Sequence, residues 1–532
     1  MSFLRTFAPA SETRSRVSSS EVAVHQAAVG KASLRPHCFH KSRKTMEAKT
    51  INPCSLEQEL AQKAGELASQ HYVREKQMVA LTLKGIADSV ESKVSEISTL
   101  MEATKGRCMD KLREIAVKEI LRSSEGLLWN GDYDEKLRGS QHVNCYTGSH
   151  WENIESQQWK DFVSLCAERC GISESLRMNP KFMNPLYESV AFNVAKYRRL
   201  EVPRGEVWLN MRNGTLVLRK DGSVILNEHC KENLFRYTLD YAYDPQAECP
   251  QWDKFLDRVL PELEDQQVLA EYVGYCLMPD HELEKLLWLI GPGGNGKSVT
   301  LEVIEGLLGS VNVSYLSLTD LTDDDTKRAS FEHKMVNISF ETGRNINPNV
   351  MKQLTSGEPV TIELKYVNPR QMTEYGKIIT STNQLPRAEN TPAFFRRIII
   401  LPFTTTITEE EKDINLADKL KEELPGILNW VLRALPGLMS RKAFSMCRNS
   451  VRAMEEYKLE SDNVNLFLHE MLEVSDDFTN GMDLYRAYQN YCKASGLLAL
   501  GRSNFYKRLD SLTNSRDDYG NVTRFKLKLL EQ

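Results

Sequence analysis

The stretch LLWLIGPGGNGKSVTLEVIEGLLG, Leu286 to Gly309, limits the fold more than any other part of the chain. Five apolar residues come first, enough for a buried strand. A Gly-rich turn follows, and then apolar residues at helical spacing. A buried strand that turns on glycines into a helix is half of a parallel strand–helix–strand unit. The region is therefore read as α/β. GPGGNGKS also fits G-x-x-x-x-G-K-[ST], with Gly291, Gly296, Lys297 and Ser298 at the fixed positions. Glycine lets the main chain aim its N–H groups at phosphate oxygens, and the following helix adds the positive end of its dipole.

The ligands expected from this motif are ATP and Mg²⁺. Gly291, Pro292, Gly293, Gly294, Asn295, Gly296, Lys297, Ser298 and Val299 would line the phosphates. Lys297 would reach the β- and γ-phosphates and Ser298 would hold the metal. A phosphate loop alone leaves kinases, GTPases, motors and helicases open. An apolar strand ending in an acid narrows the choice, and MVNISFETG supplies one with Glu341 at its end. Glu341 would hold Mg²⁺ through water or orient the attacking water. A third strand, KIITSTNQLP, runs into Asn383, whose amide could position that water. FFRRIIILPF then sets Arg396 and Arg397 before another apolar strand. An arginine at a domain edge can reach a neighbouring subunit's γ-phosphate.

These elements, in this order, resemble the superfamily 3 helicases, above all the helicase half of phage and plasmid primase-helicases and of the poxvirus primase-helicase. The resemblance implies an AAA+-like P-loop core and a β-hairpin, here SGEPVTIELKYVNP, that carries Lys365 into a ring's central channel to grip DNA. It extends outward from about Gly126 to the C-terminus. The segment LNMRNGTLVL and the helices before the loop look like the domain that precedes the helicase in this family. The last 80 residues or so look like its small winged-helix domain. Two departures stand out. Glu341 is followed by Thr342, not by the second acid many members carry, so the general base is left open. No primase domain is evident: Asp132 and Asp134 in GDYDEK have D-x-D spacing, but no apolar strand leads into them and they read as a polar turn.

The rest of the chain sets the boundaries. Residues 1–53 are a basic, Ser-rich arm with weak apolar periodicity, read as disordered, with Met46 as an alternative start. An organelle address in this arm is the less favoured reading. Residues 54–123 have the pattern of amphipathic helices, and 124–245 that of a mixed α/β domain. Two hairpins are expected there, at Asn213-Gly214 and Asp221-Gly222. Residues 246–440 hold the ATPase with its leading helices, and 455–532 the winged helix. Of the eleven Cys, the closest pair, Cys166 and Cys170, lacks the second pair a zinc site needs, and buried thiols are expected. No apolar run approaches the ~20 residues that span a bilayer, so no membrane partner is expected.

The net charge of −5 shows no global basic excess, so any grip on nucleic acid must be local. Lys365, with Lys352 and Arg370 near it, is one candidate set. Residues 493–532 carry eight Lys or Arg against four acids, and RSNFYKRLDS offers Arg502, Lys507 and Arg508 as a recognition helix. The sequence thus points to an ATP-dependent DNA helicase in the replication of a phage, plasmid or other mobile element. It would form a ring, expected as a hexamer, with a separate primase as partner, in the cytoplasm of its host. The alternatives are a DNA-translocating or packaging ATPase, and an origin-binding initiator that uses ATP only to assemble.

Overall fold

The structure is a computed structural model. It describes residues 73–104, 107–130, 143–194, 202–340, 346–364, 368–385, 391–495, 497, 499–520 and 522–530. The basic arm, the first amphipathic segment, and Asp132 and Asp134 lie outside these residues.

The first part is helical, as the three-and-four spacing predicts, but its apolar faces pack onto later elements. A helix over residues 73–88 is followed by helices Val94–Thr104, Met109–Ser124, Ser156–Cys170 and Pro180–Asn193. A small antiparallel sheet of Leu128–Asn130, Val143–Tyr146 and Trp151–Asn153 interrupts them. Val79, Leu83, Leu112 and Ile120 share one core with Val143, Phe162, Cys166 and Phe182. Residues on both sides of position 124 therefore belong to a single apolar cluster. Cys166 and Cys170 are buried thiols in it.

A three-stranded meander follows: Glu206–Met211, Gly214–Arg219 and Val224–Asn227. Met211 pairs with Gly214, so Arg212 and Asn213 form the two-residue turn. Gly214 is the first residue of its strand. Its φ of +146° and the carbonyl of Asn227, 2.2 Å from where a Cβ would sit, admit only glycine.

Two helices, Pro250–Val259 and Leu263–Leu277, lead into a five-stranded parallel sheet. Its strands are β1 (Leu286–Ile290), β2 (Val313–Ser314), β3 (Val336–Ser339), β4 (Lys377–Thr382) and β5 (Ile398–Pro402). The spatial order is β5-β1-β4-β3-β2. Side chains alternate across a pleated strand, so a sheet covered on both faces needs apolar residues at every position. β1 meets this demand. Leu287 and Leu289 face a core that includes Leu301 and Ile304 of the helix Lys297–Leu308 and Val431 and Leu435 of the helix Leu424–Arg441. Leu286 and Trp288 face a second core with Met351, Phe394 and Tyr457. Buried Asn337 in β3 is satisfied by the end of β2 and the chain just after it: it accepts from Ser314 Oγ (2.8 Å) and Leu316 N (2.9 Å) and donates to Leu316 O (2.9 Å).

The C-terminal unit runs helix Asn463–Met471, strand Leu472–Asn480, helices Gly481–Ala494 and Arg502–Thr513, then strands Arg516–Tyr519 and Val522–Leu529. Its core joins Phe467, Tyr488 and Phe505 to Phe525 and Leu527. Among the described residues no helix is long and apolar enough to cross a membrane.

Candidate functional site

In a parallel sheet all strands end at one edge, and loops there face a common crevice. β1 ends at Ile290 and passes into the Gly291–Ser298 loop. The helix begins at Lys297, with Gly296 as its left-handed N-cap at φ +89°. Pro292, Gly293 and Gly294 are exposed, while Gly291, Asn295 and Lys297 are buried. The buried part is fixed from behind. Phe403 N donates to Ile290 O (2.7 Å), Asn295 Nδ2 to Phe403 O (2.9 Å) and Ile407 N to Gly294 O (2.8 Å). A Cβ on Gly291 would sit 2.2 Å from Asn295 Nδ2 and 2.3 Å from Phe403 O. Gly293 and Gly294 have open space around a Cβ but φ of +104° and +60°.

Lys297 is 5% exposed. Its Nζ donates to Gly291 O (2.8 Å) and Asn295 Oδ1 (3.0 Å), both within the loop. Burial lowers its pKa from 10.5 to about 8. An ammonium short of water and balanced only by neutral oxygens is primed for an anion, which would restore its full charge. That charge state and the exposed, glycine-rich turn fit a polyphosphate. Ser298 and Val299 open the helix and are part-buried.

The neighbouring strand β4 brings Asn383 to the same edge. Thr382 is opposite Ile290 in the register, and Gly291 N donates to Thr382 O (3.3 Å). Asn383, the next residue, is exposed beside the loop. β3 lies on the far side of β4, with Ser339 opposite Thr380. Glu341, two residues beyond β3, lies outside the described residues.

Arg396 and Arg397 stand at the other edge. They precede β5, and Leu286 N, at the start of β1, donates to Arg397 O (2.8 Å). The length of β1, ~13 Å at ~3.3 Å per residue, separates them from the loop of their own chain. The two arginines also differ. Arg397 is 9% exposed; it donates to Ala393 O (2.7 Å) and Ser356 Oγ (3.1 Å) and pairs with Glu284 (3.1 Å). Arg396 has a 63% exposed side chain and meets Glu284 at 3.1 Å.

The expected hairpin is present as Val360–Ile362 paired with Arg370–Met372. Lys365 lies outside the described residues. Arg370 forms a two-pronged ion pair with Glu332, and Lys352 is part-buried on the helix Pro348–Ser356. Sequence reading missed the residue that anchors this hairpin. Buried Arg328 donates to Thr361 O of the hairpin (2.7 Å) and to Leu321 O (2.6 Å) and Thr322 O (2.7 Å). No local pattern marks an arginine for burial.

In the C-terminal unit Arg502 and Lys507 are exposed. Arg508 is turned inward. Its guanidinium binds buried Asp462 at 2.6 and 2.7 Å, and Asp462 in turn caps the helix Asn463–Met471.

Three families match parts of the chain. Residues 133–261 match the family described as "D5 N terminal like", and residues 459–528 the "Poxvirus D5 protein-like" family. Residues 289–397 match a family of unknown function, DUF5906. "Putative helicase L207/L206" of Acanthamoeba polyphaga mimivirus is 21% identical over 302 residues, 50% of this chain and 31% of that protein. "Putative helicase 184R" of Invertebrate iridescent virus 6 is 23% identical over 242 residues, 38% of this chain and 25% of its own length. The chain thus spans a third or less of either relative. The apo structure of the NrS-1 C-terminal region superposes with a TM-score of 0.45 at 10% identity, over 75% of this chain and 96% of that chain. Both relatives are viral proteins described as putative helicases.

Proposed function

From a chain of the phage- and poxvirus-type primase-helicase family, we propose an ATP-dependent DNA helicase that serves replication of a virus, phage, plasmid or other mobile element. The strand order β5-β1-β4-β3-β2 is the observation that carries this reading. It seats the strand leading to Asn383 between the strand of the glycine loop and the strand leading to Glu341, so one crevice can take a triphosphate and the water that attacks it. The sheet is then the core of a P-loop NTPase.

Lys297 holds the β- and γ-phosphates, and Ser298 and Glu341 hold Mg²⁺, which when bound neutralises charge on the phosphate oxygens. Asn383 orients the attacking water, with Glu341 as the candidate base. Arg396, exposed at the opposite edge of the sheet, completes the site of a neighbouring subunit, while Arg397 positions it. Such an arrangement calls for head-to-tail contacts, which close into a ring when the rotation allows; we read a hexamer. Lys365 on the hairpin contacts the DNA backbone in the channel. The C-terminal order helix–strand–helix–helix–strand–strand supports a winged helix, with Arg502 and Lys507 toward DNA.

The test is strand displacement from a forked DNA by the purified chain with Mg-ATP at low salt, beside Lys297→Ala. Displacement by the wild type and none by the variant is the expected result. ATP hydrolysis stimulated by duplex without displacement would replace this reading with a translocating ATPase. Full origin binding with no displacement, and assembly dependent on ATP alone, would replace it with an initiator.

A further inference from the structure

Far from the phosphate loop, three side chains with metal-binding atoms converge in the first part of the chain. Glu75 comes from the helix over residues 73–88, His150 from the turn before Trp151–Asn153, and Glu152 from that strand. One ligand atom from each lies within 4.8 Å of the others. His150 Nε2 is 3.0 Å from Glu75 Oε2 and 3.8 Å from Glu152 Oε2. The side chains are 4%, 12% and 30% exposed for His150, Glu75 and Glu152. We propose that His150, Glu75 and Glu152 bind one divalent transition-metal ion of the zinc class, and that the ion clips the helix over residues 73–88 to the small sheet.

Spacing and orientation support this. Bonds of ~2.0–2.1 Å in a tetrahedral site put ligand atoms about 3.3 Å apart, and the two separations from Nε2 bracket that value. The ring is fixed through its other nitrogen. Ser149 Oγ (2.9 Å), Thr238 Oγ1 (3.0 Å) and Thr147 Oγ1 (3.2 Å) surround His150 Nδ1. An Nδ1–H donated to one of these hydroxyls leaves the Nε2 lone pair facing the two carboxylates, the arrangement of a metal-bound histidine with its outer partner. Two oxygens with one imidazole nitrogen suit zinc or cobalt(II) with a water in the fourth place. Thr238 lies one residue before Leu239, which bridges to Met211 of the meander, so the outer partners tie the site to the next layer of the fold.

The full chain, stripped with a chelator, is titrated with Zn²⁺ alone and, separately, with Co²⁺. The expected result is a site filled to about one equivalent and weakened tenfold or more in Glu152→Gln and in Glu75→Gln. A cobalt spectrum without thiolate charge-transfer bands would mark it as an oxygen–nitrogen site, apart from the cysteines. Zn²⁺ should also raise the melting temperature of the wild type more than that of Glu152→Gln, a substitution that keeps the shape of a part-exposed side chain. Binding of equal strength in all three proteins, or cobalt bound only through thiolate, would overturn the proposal.

Discussion

Lys297 is expected to destabilise the nucleotide-free fold, and Lys297→Met should reveal it. The folded pKa of about 8 lies some 2.5 units below 10.5. At ~1.4 kcal/mol per unit, holding the ammonium charged in its buried place costs roughly 3 kcal/mol. Methionine removes that charge with little change of shape. It also takes the donor from Gly291 O and Asn295 Oδ1, a loss of about 1 kcal/mol each. The variant should therefore be more stable than the wild type by about 1 kcal/mol at pH 7, or roughly 2–4 °C in melting temperature for a unit of this size. The sign with pH follows from a lowered pKa. The penalty is fully present below pH 8 and fades as pH rises from 8 through 10.5, above which the amine is neutral in folded and unfolded chains alike. Scanning calorimetry at pH 7 and pH 10 should show the gain at the first and a loss at the second. Mg-ATP at 100 times its dissociation constant should add about 2.7 kcal/mol to the wild type and little to the variant. A variant less stable at pH 7, or a gain that does not change with pH, would refute the reasoning.

Three further outcomes can be checked. Arg396→Ala should leave the melting temperature within about 0.5 kcal/mol of wild type, as for an exposed pair, and lower steady-state ATP hydrolysis by about 10³. Arg397→Ala should destabilise by about 2 kcal/mol, since Glu284 and Ser356 lose a buried partner, and this is measured by urea denaturation. In the C-terminal unit, Arg508→Ala should destabilise by about 3 kcal/mol by stranding buried Asp462, while Lys507→Ala should leave stability alone and lower the salt dependence of DNA binding by about one unit of slope.

The parts of the fold that could be read in advance are those written in neighbouring residues. β1 and its helix are legible because hydrophobic period changes across the glycines, and the meander because its turns carry Asn-Gly and Asp-Gly. Even there the register differs by one residue: Arg212-Asn213 makes the turn and Gly214 begins the strand. Strand Leu472–Asn480 could not be read. Only Leu472 is buried in it, and its pairing to Val522–Leu529 comes from 44 to 57 residues away. Nor could the packing of the first helices onto Phe162 and Phe182 be seen from their own amphipathic pattern. At the site, residue types and order were legible, but partnerships were not. Arg396 and Arg397 look alike in sequence, and a serine 41 residues away distinguishes them. Arg508 reads as a free cation until Asp462, 46 residues away, claims it.

The glycine loop and the two arginines lie at opposite ends of β1, about 13 Å apart at ~3.3 Å per residue. If Arg396 acts at a phosphate loop, that loop would then belong to another chain. On the proposed function the working unit would be a pair, and specific activity would depend on concentration. Dilution would silence the protein without unfolding it. A chain crippled at Lys297 and another crippled at Arg396 would each be inert alone, yet mixed they would restore the pairs in which the intact loop of one meets the intact arginine of the other.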